Sequence, residues 1–341
     1  MRPLFMMGHS RPLTWVTFNR DGDLLFTCGK DARLAVWWSE NGERIGTYDC
    51  GKGVVWNCDC TLDSKKLICA SADQKIMIFD VTTGAILHEI PEAGPCKFVE
   101  WNTKPDEQNK FVLVHDAFGA QSTKAIKVWQ IGEDGKPRRL WSQTDYAGRC
   151  VQVRWGPYDE TIISCHENGD IMVWNAETGE YINEFRAHKQ FITCLSFSED
   201  RLLMLSSLRL SQGSCSDGTA KLWDTVDFKC LKTYQTDRPL NACGISPRFN
   251  KQGDERKCHV MLGGGQAAED VTTTASGEGK FEALIYHMVY QEELGSCKGH
   301  FGPLNTLCWM PDGNGYASGG EDGYVRIYHF DEDYFTDKFE P

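Results

Sequence analysis

The chain is short of positive charge, of paired cysteines and of long apolar runs, and each shortage removes a class of function. Lysine and arginine total 36 against 48 aspartate and glutamate, a net charge of -12. Such a surface repels phosphate over most of its area, so direct sequence-specific nucleic-acid binding is not expected and a basic protein segment is the fitting partner. Fifteen cysteines are present, yet none is spaced as Cys-x-x-Cys, and the paired ligands of a zinc site are therefore missing. Most, including Cys28, Cys58, Cys60, Cys69, Cys165, Cys194 and Cys308, fall in predicted strands and read as buried free thiols in a reducing compartment. The opening Met1 to Met7 holds four consecutive apolar residues, too few for a signal-peptide core, and no later run approaches a membrane span. A cytoplasmic protein without cofactor or metal is the expectation.

What the chain does contain is a repeat. From Lys298 to His329 a Gly-His pair (Gly299, His300) precedes an apolar strand, the turn Pro311 to Gly313, a second strand, then Glu321-Asp322-Gly323 and a third strand ending at Tyr328. The turns fall where the alternating apolar pattern stops. His300 stands 22 residues before Asp322, and Asp322 six before Tyr328; at the other end of the chain His9, Asp31 and Trp37 repeat both intervals. This is the WD-repeat pattern, in which each unit of roughly 40 to 45 residues builds one four-stranded propeller blade. It predicts a buried hydrogen-bonded line of His, Ser or Thr, Asp and a strand-end aromatic. The lines would be His9, Thr27, Asp31 and Trp37 in the first unit and His300, Ser318, Asp322 and Tyr328 in the last. Every link must be satisfied for such a line to be tolerated in a core.

The intervening units depart from the pattern by degrees. Unit two keeps Asp73 and ends on Phe79, but Lys52 stands for the His and Cys69 for the hydroxyl residue. Unit three, Lys97 to Leu140, has Trp129 with Thr123 six residues earlier, and unit four has Trp174 with Asn168 in place of Asp. These two blades are expected to rely on packing more than on the polar line. Unit five recovers His188, Asp217 and Trp223, and an insertion near Leu208 to Ser214 leaves Ser206 as its hydroxyl residue. Aromatics at 37, 79, 129, 174, 223, 286 and 328 count seven blades. The strand Leu4 to Met7, an orphan at the N-terminus, should pair with Tyr324 to Tyr328 and close the ring. The fold expected is all-β, a seven-bladed propeller over residues 1–341 with a short acidic and aromatic tail from about 331. Tyr334, Phe335 and Phe339 of that tail either pack on the last blade or meet a partner.

His, Ser or Thr, and Asp in line resemble a hydrolytic triad, but here they repeat in several blades between strands, and no Gly-x-Ser-x-Gly elbow occurs. A structural role is the reading, and no catalytic residue is assigned. Gly263 to Gln266 lacks the following helix, Lys and hydroxyl of a phosphate loop, since Ala267-Ala268-Glu269-Asp270 follow. Thr272 to Thr274 reads equally as a β-edge or as a modification site.

Several stretches together carry a specific resemblance: Gly22-Asp23-Leu24-Leu25-Phe26, Leu262-Gly263-Gly264-Gly265-Gln266, Asp270-Val271-Thr272-Thr273-Thr274, Gly279-Lys280-Phe281-Glu282-Ala283 and Gly319-Gly320-Glu321-Asp322-Gly323. In these the whole chain resembles the i subunit of eukaryotic translation initiation factor three. Departures lie in units two to five and near Asn250 to Cys258. The resemblance implies a non-catalytic member of a heteromeric complex, joining the b subunit through its C-terminal helical segment, and the g subunit, on the small ribosomal subunit during scanning and start-codon selection. A WD-repeat signalling or receptor-associated adaptor would share the repeats but not the sixth-unit signature. For the b subunit, Leu222 and Asp224 share one face of the strand Thr219 to Asp224 and could seat an amphipathic basic helix. Alternatively Leu222 packs between blades and Asp224 caps a turn. Tyr316 on the seventh blade is a further candidate.

Overall fold

The computed structural model describes residues 3–119, 122–209, 218–265 and 280–336. Its strands, numbered in chain order, form seven four-stranded antiparallel sheets. The innermost strands are β2 (Leu13–Phe18), β6 (Val55–Cys60), β10 (Cys96–Trp101), β14 (Cys150–Trp155), β18 (Ile192–Phe197), β22 (Leu240–Ile245) and β26 (Leu304–Trp309). Each inner strand packs beside the next, and β2 packs beside β26, so the sheets meet in a closed ring. The last sheet is completed by the N-terminus: β1 (Pro3–Met7) pairs with β28 (Tyr324–His329), Leu4 opposite Ile327 and Met7 opposite Tyr324. Closure of this kind ties the two ends of the chain into one sheet and leaves each blade only its short outer strand as an edge.

Local sequence explains the individual strands. Second and third strands such as β3 (Leu24–Gly29) and β4 (Arg33–Trp38) are near-continuously buried, because a neighbouring blade covers each face. Outer strands such as β5 (Arg44–Asp49) are mostly exposed. In every blade the pairing of first and second strands slips by one residue at the same place, Leu13/Trp15 in blade one and Leu304/Thr306 in blade seven, for example. A bulge there adds local twist at the narrow centre of the ring.

The core is divided among seven clusters, one at each blade boundary. Phe26 and Val36 of blade one meet Leu67 and Phe79 of blade two, and Val325 and Ile327 of blade seven meet Val16 and Leu25 of blade one. Inner strands are also stitched together by side chains: Val16 N–H donates to Thr306 Oγ1 at 3.1 Å, Val99 N–H to Asn57 Oδ1 at 2.8 Å and Leu195 N–H to Gln152 Oε1 at 2.9 Å. Backbone donors that face the next blade are satisfied in this way. The stretch from Asn250 to Cys258 holds a short turn of helix, Gly253–Glu255, and the Arg248 side chain just before it reaches the Asp312 carbonyl of blade seven at 3.0 Å. The helix Glu332–Thr336 lays Tyr334 against Phe330, ring centroids 4.0 Å apart, while the Tyr334 hydroxyl meets His259 Nδ1 at 2.7 Å.

Candidate functional site

In blade one the loop His enters between strands. His9 Nδ1 lies 3.0 Å from Asp31 Oδ1, His9 Nε2 2.9 Å from Thr27 Oγ1, and the Trp37 indole donates to the same hydroxyl at 2.9 Å. A carboxylate only accepts, so Nδ1 carries the imidazole proton and the Thr27 O–H donates to Nε2. The line is thereby satisfied with His9 neutral, and burial lowers the His9 pKa even against the nearby carboxylate. Gly29 is required for this entry: a Cβ there would sit 2.5 Å from His9 Nδ1.

Blade seven begins the same way. His300 Nδ1 lies 3.1 Å from the Asp322 carboxylate and Nε2 2.8 Å from Ser318 Oγ, above Gly320. Tyr328, however, does not bond Ser318. Its hydroxyl donates to the Lys298 carbonyl at 3.1 Å, with the ring stacked on Tyr316 at 4.7 Å. The added member is Arg326, fully buried, whose Nη1 lies 3.0 Å from Asp322 Oδ2 and also contacts His300. Burial works to raise the Asp322 carboxyl, but the bond from His300, its charge, and the amides of Phe301 and Tyr324 hold it well below the usual carboxylate range.

Blade five joins His188 Nε2 to Ser206 Oγ at 2.7 Å and Trp223 to the same oxygen at 2.9 Å. Asp217 lies outside the described residues, as do Thr272 to Thr274. In blade two Asp73 still caps the loop, accepting from the Lys52 amide at 2.6 Å, and Cys69 Sγ sits 3.7 Å from Cys50 Sγ where the imidazole and hydroxyl meet elsewhere.

Blades three and four, expected to rely on packing more than on the polar line, also hold buried polar contacts of their own. In blade four, Ser164 Oγ receives the Trp174 indole at 2.8 Å and meets His166 Nε2 at 2.9 Å. This His comes from the strand position that is Gly29 in blade one, so the same space is filled from within the sheet. In blade three that position is His115, which lies 3.7 Å from a Glu92 carboxylate that is itself ion-paired to Lys127. Sequence spacing measured from a Gly-His loop could not find either; the available signal was a His where blades one and seven carry glycine.

For Leu222 and Asp224 the structure takes the second of the two readings, packing between blades and capping a turn, and Tyr316 is also buried. Leu222 is 3% exposed and packs among Leu205, Leu240 and Val260 between blades five and six, so it offers no surface. Tyr316 is wholly buried under Tyr328. Asp224 is half-buried and caps a turn, accepting from the Val226 amide at 2.7 Å. In a propeller both faces of a third strand are covered, and alternation within the strand therefore does not separate a core face from a solvent face.

A cavity of about 270 Å³ occupies the central channel, lined among others by Thr14, Trp56, Lys97, Arg149, Thr193 and Asn305. Lys97 lies over the Trp56 ring at 3.8 Å, and Arg149 pairs with Asp116 at 2.6 Å. Among the described residues no group of His, Cys, Asp and Glu is arranged to hold a metal ion, and no helix is long and apolar enough to cross a membrane.

A family model described as EIF3I matches residues 1–340 of the chain. The chain belongs to this family. Among relatives, it is 39% identical over the full length of both chains to eukaryotic translation initiation factor 3 subunit I of Drosophila pseudoobscura pseudoobscura. It is equally 39% identical to the subunit I of Schizosaccharomyces pombe, over 99% of each chain, and of Kluyveromyces lactis, over 100% of this chain and 95% of the relative. Translation initiation is the role of the EIF3I family, and the sixth- and seventh-unit motifs that carry the resemblance belong to a chain matched from end to end.

Proposed function

We propose that this propeller is a non-catalytic scaffold of the translation initiation factor three complex, acting in the cytoplasm and holding the b and g subunits together on the small ribosomal subunit during scanning and start-codon selection. The observation that carries the reading is the end-to-end match to subunit I relatives at 39% identity. The architecture supports it: in blades one and seven the His, Asp and hydroxyl groups spend their hydrogen bonds on one another between strands, leaving loops and outer strands as the surface. The net charge of -12 favours a basic partner segment. With Leu222 and Tyr316 buried, a C-terminal helical segment of the b subunit would meet the rim around Asp224 rather than the strand before it. The chain 1–341 acts as one domain, and its tail as far as Thr336 folds back on blades six and seven; Phe339 lies outside the described residues.

The test is affinity purification of a tagged chain from its own cells. The expected result is co-purification of the b and g subunits and co-sedimentation with the small ribosomal subunit. Recovery of the intact protein free of both subunits would overturn the reading.

A further inference from the structure

The seven outer strands are chemically alike except for one. β5, β9 (Ile86–Pro91), β13 (Pro137–Gln143), β17 (Tyr181–Arg186), β21 (Cys230–Gln235) and β25 (Glu293–Cys297) each carry at least one charged side chain, Arg44, Glu89, Arg138, Glu184, Lys232 and Glu293 respectively. Charges on an edge strand deter pairing with further strands. β1 reads Pro-Leu-Phe-Met-Met and has none.

The difference extends to the face. Phe5 pairs with Arg326, two residues before the strand-end aromatic of its blade. At the same register the other blades place Thr47, Glu89, Ser142, Glu184, Thr233 and Ser296, all polar. The propeller itself therefore does not need an aromatic there. Phe5 is 52% exposed, Met7 72% and Phe301, in the adjoining loop, 78%. Leu4 and Met6, on the opposite face, are the ones that pack against blade one.

Beneath this patch lies an unusual cation. The Arg326 guanidinium sits 4.3 Å from the Phe5 ring centroid, 5.8 Å from Phe301 and 5.7 Å from Tyr324. It is fully buried, and its Nε and Nη2 have no hydrogen-bond partner among the described residues. Buried donors left unpaired are costly, and an acceptor that reached them would be bound strongly. The half-exposed Phe5 ring, packed on the guanidinium, is the cover that such an acceptor would have to displace.

We propose that β1 is the docking edge for an extended segment of another protein chain, with apolar side chains at alternate positions and a carboxylate placed to reach Arg326. The segment adds a fifth strand to blade seven: main-chain hydrogen bonds come from the edge of β1 that no described strand pairs, and its apolar side chains cover Phe5, Met7 and Phe301. The surface is independent of which subunits the propeller joins elsewhere.

The test uses short random peptides displayed on phage, panned against the full chain immobilised through its C-terminus. The counter-target is a Phe5→Thr, Met7→Asp variant, which copies Thr47 and Asp49 of blade one and is checked for an unchanged melt. Enriched peptides should show alternating apolar residues and an acid and protect residues 3–7 from hydrogen exchange. They should bind the variant about tenfold more weakly or worse, and lose a comparable factor when the acid is changed to its amide. Enrichment no better than on the variant, or protection elsewhere on the ring, would overturn the docking edge. Indifference to the amide change would overturn the Arg326 pairing. Concentration-dependent dimers of the chain, abolished in the variant, would overturn the proposal by giving β1 to a second copy.

Discussion

His166 and Ser164 stand two residues apart on one strand, with Nε2 and Oγ separated by 2.9 Å, and together they form in blade four the contact that His9 and Thr27 make from a loop to a strand in blade one. The Trp174 indole closes on Ser164 as Trp37 closes on Thr27. What blades one, four and five share is a hydroxyl bonded by both an imidazole and an indole, whichever backbone position supplies the imidazole. Replacing Ser164 by Ala removes the acceptor of a buried N–H and should cost about 1–3 kcal/mol. Urea unfolding measures it, and an unchanged midpoint would show that this line adds nothing beyond packing.

The buried histidines make acid a specific stress. Burial pushes His166 down to about 4 and, with Lys221 nearby, His188 down to about 3. The unfolded chain takes up these protons near the ordinary value of about 6.5, which the folded chain resists. Their contribution is full above that pH and is lost as pH falls through it toward the folded values. The urea midpoint should drop between about pH 7 and about pH 5, and drop less in His166→Gln. An equal drop in both proteins would remove His166 from the account.

Blades one and seven should respond unequally to loss of their carboxylates. Asp31→Ala strands His9 and the Ser10 amide, a loss of about 1–3 kcal/mol. Asp322→Ala also leaves the fully buried Arg326 without its ion-pair partner, and breaking a buried pair costs about 3–5 kcal/mol. Equal destabilisation in thermal or urea melts would mean that Arg326 finds another acceptor.

In blade three the pair Glu92 and Lys127 is similarly enclosed, the carboxylate side chain 1% exposed and the amine 10%. Glu92→Gln alone should destabilise by about 3–5 kcal/mol, whereas Glu92→Leu with Lys127→Met should be near neutral or stabilising. A double variant as unstable as the single one would show that the charges organise the site beyond their own pairing.

Leu222 and Asp224 separate stability from binding. Leu222→Ala opens a void between blades five and six and should cost about 2–5 kcal/mol. Asp224→Lys, at a turn cap, should cost no more than about 1–2 kcal/mol while weakening any basic segment that docks there. If Leu222→Ala melts like the parent chain, its packing role is wrong.

Intervals of 22 and six residues, the strand-end aromatics and an orphan apolar strand were enough to read seven blades and the closure of β1 on β28. These features are local: turn chemistry and two-residue alternation are written within each unit, and closure follows from counting strands. The sixth- and seventh-unit motifs likewise pointed to the family by resemblance. The tertiary structure alone decided which groups meet across units. Glu92 precedes the blade to which Lys127 belongs, 35 residues away, Arg326 joins the line of blade seven through Asp322, and a strand reading as one buried and one open face proved covered on both. Packing in a closed ring sets these outcomes, since each blade is buried by its neighbours and no strand can show from its own residues what the next blade places against it.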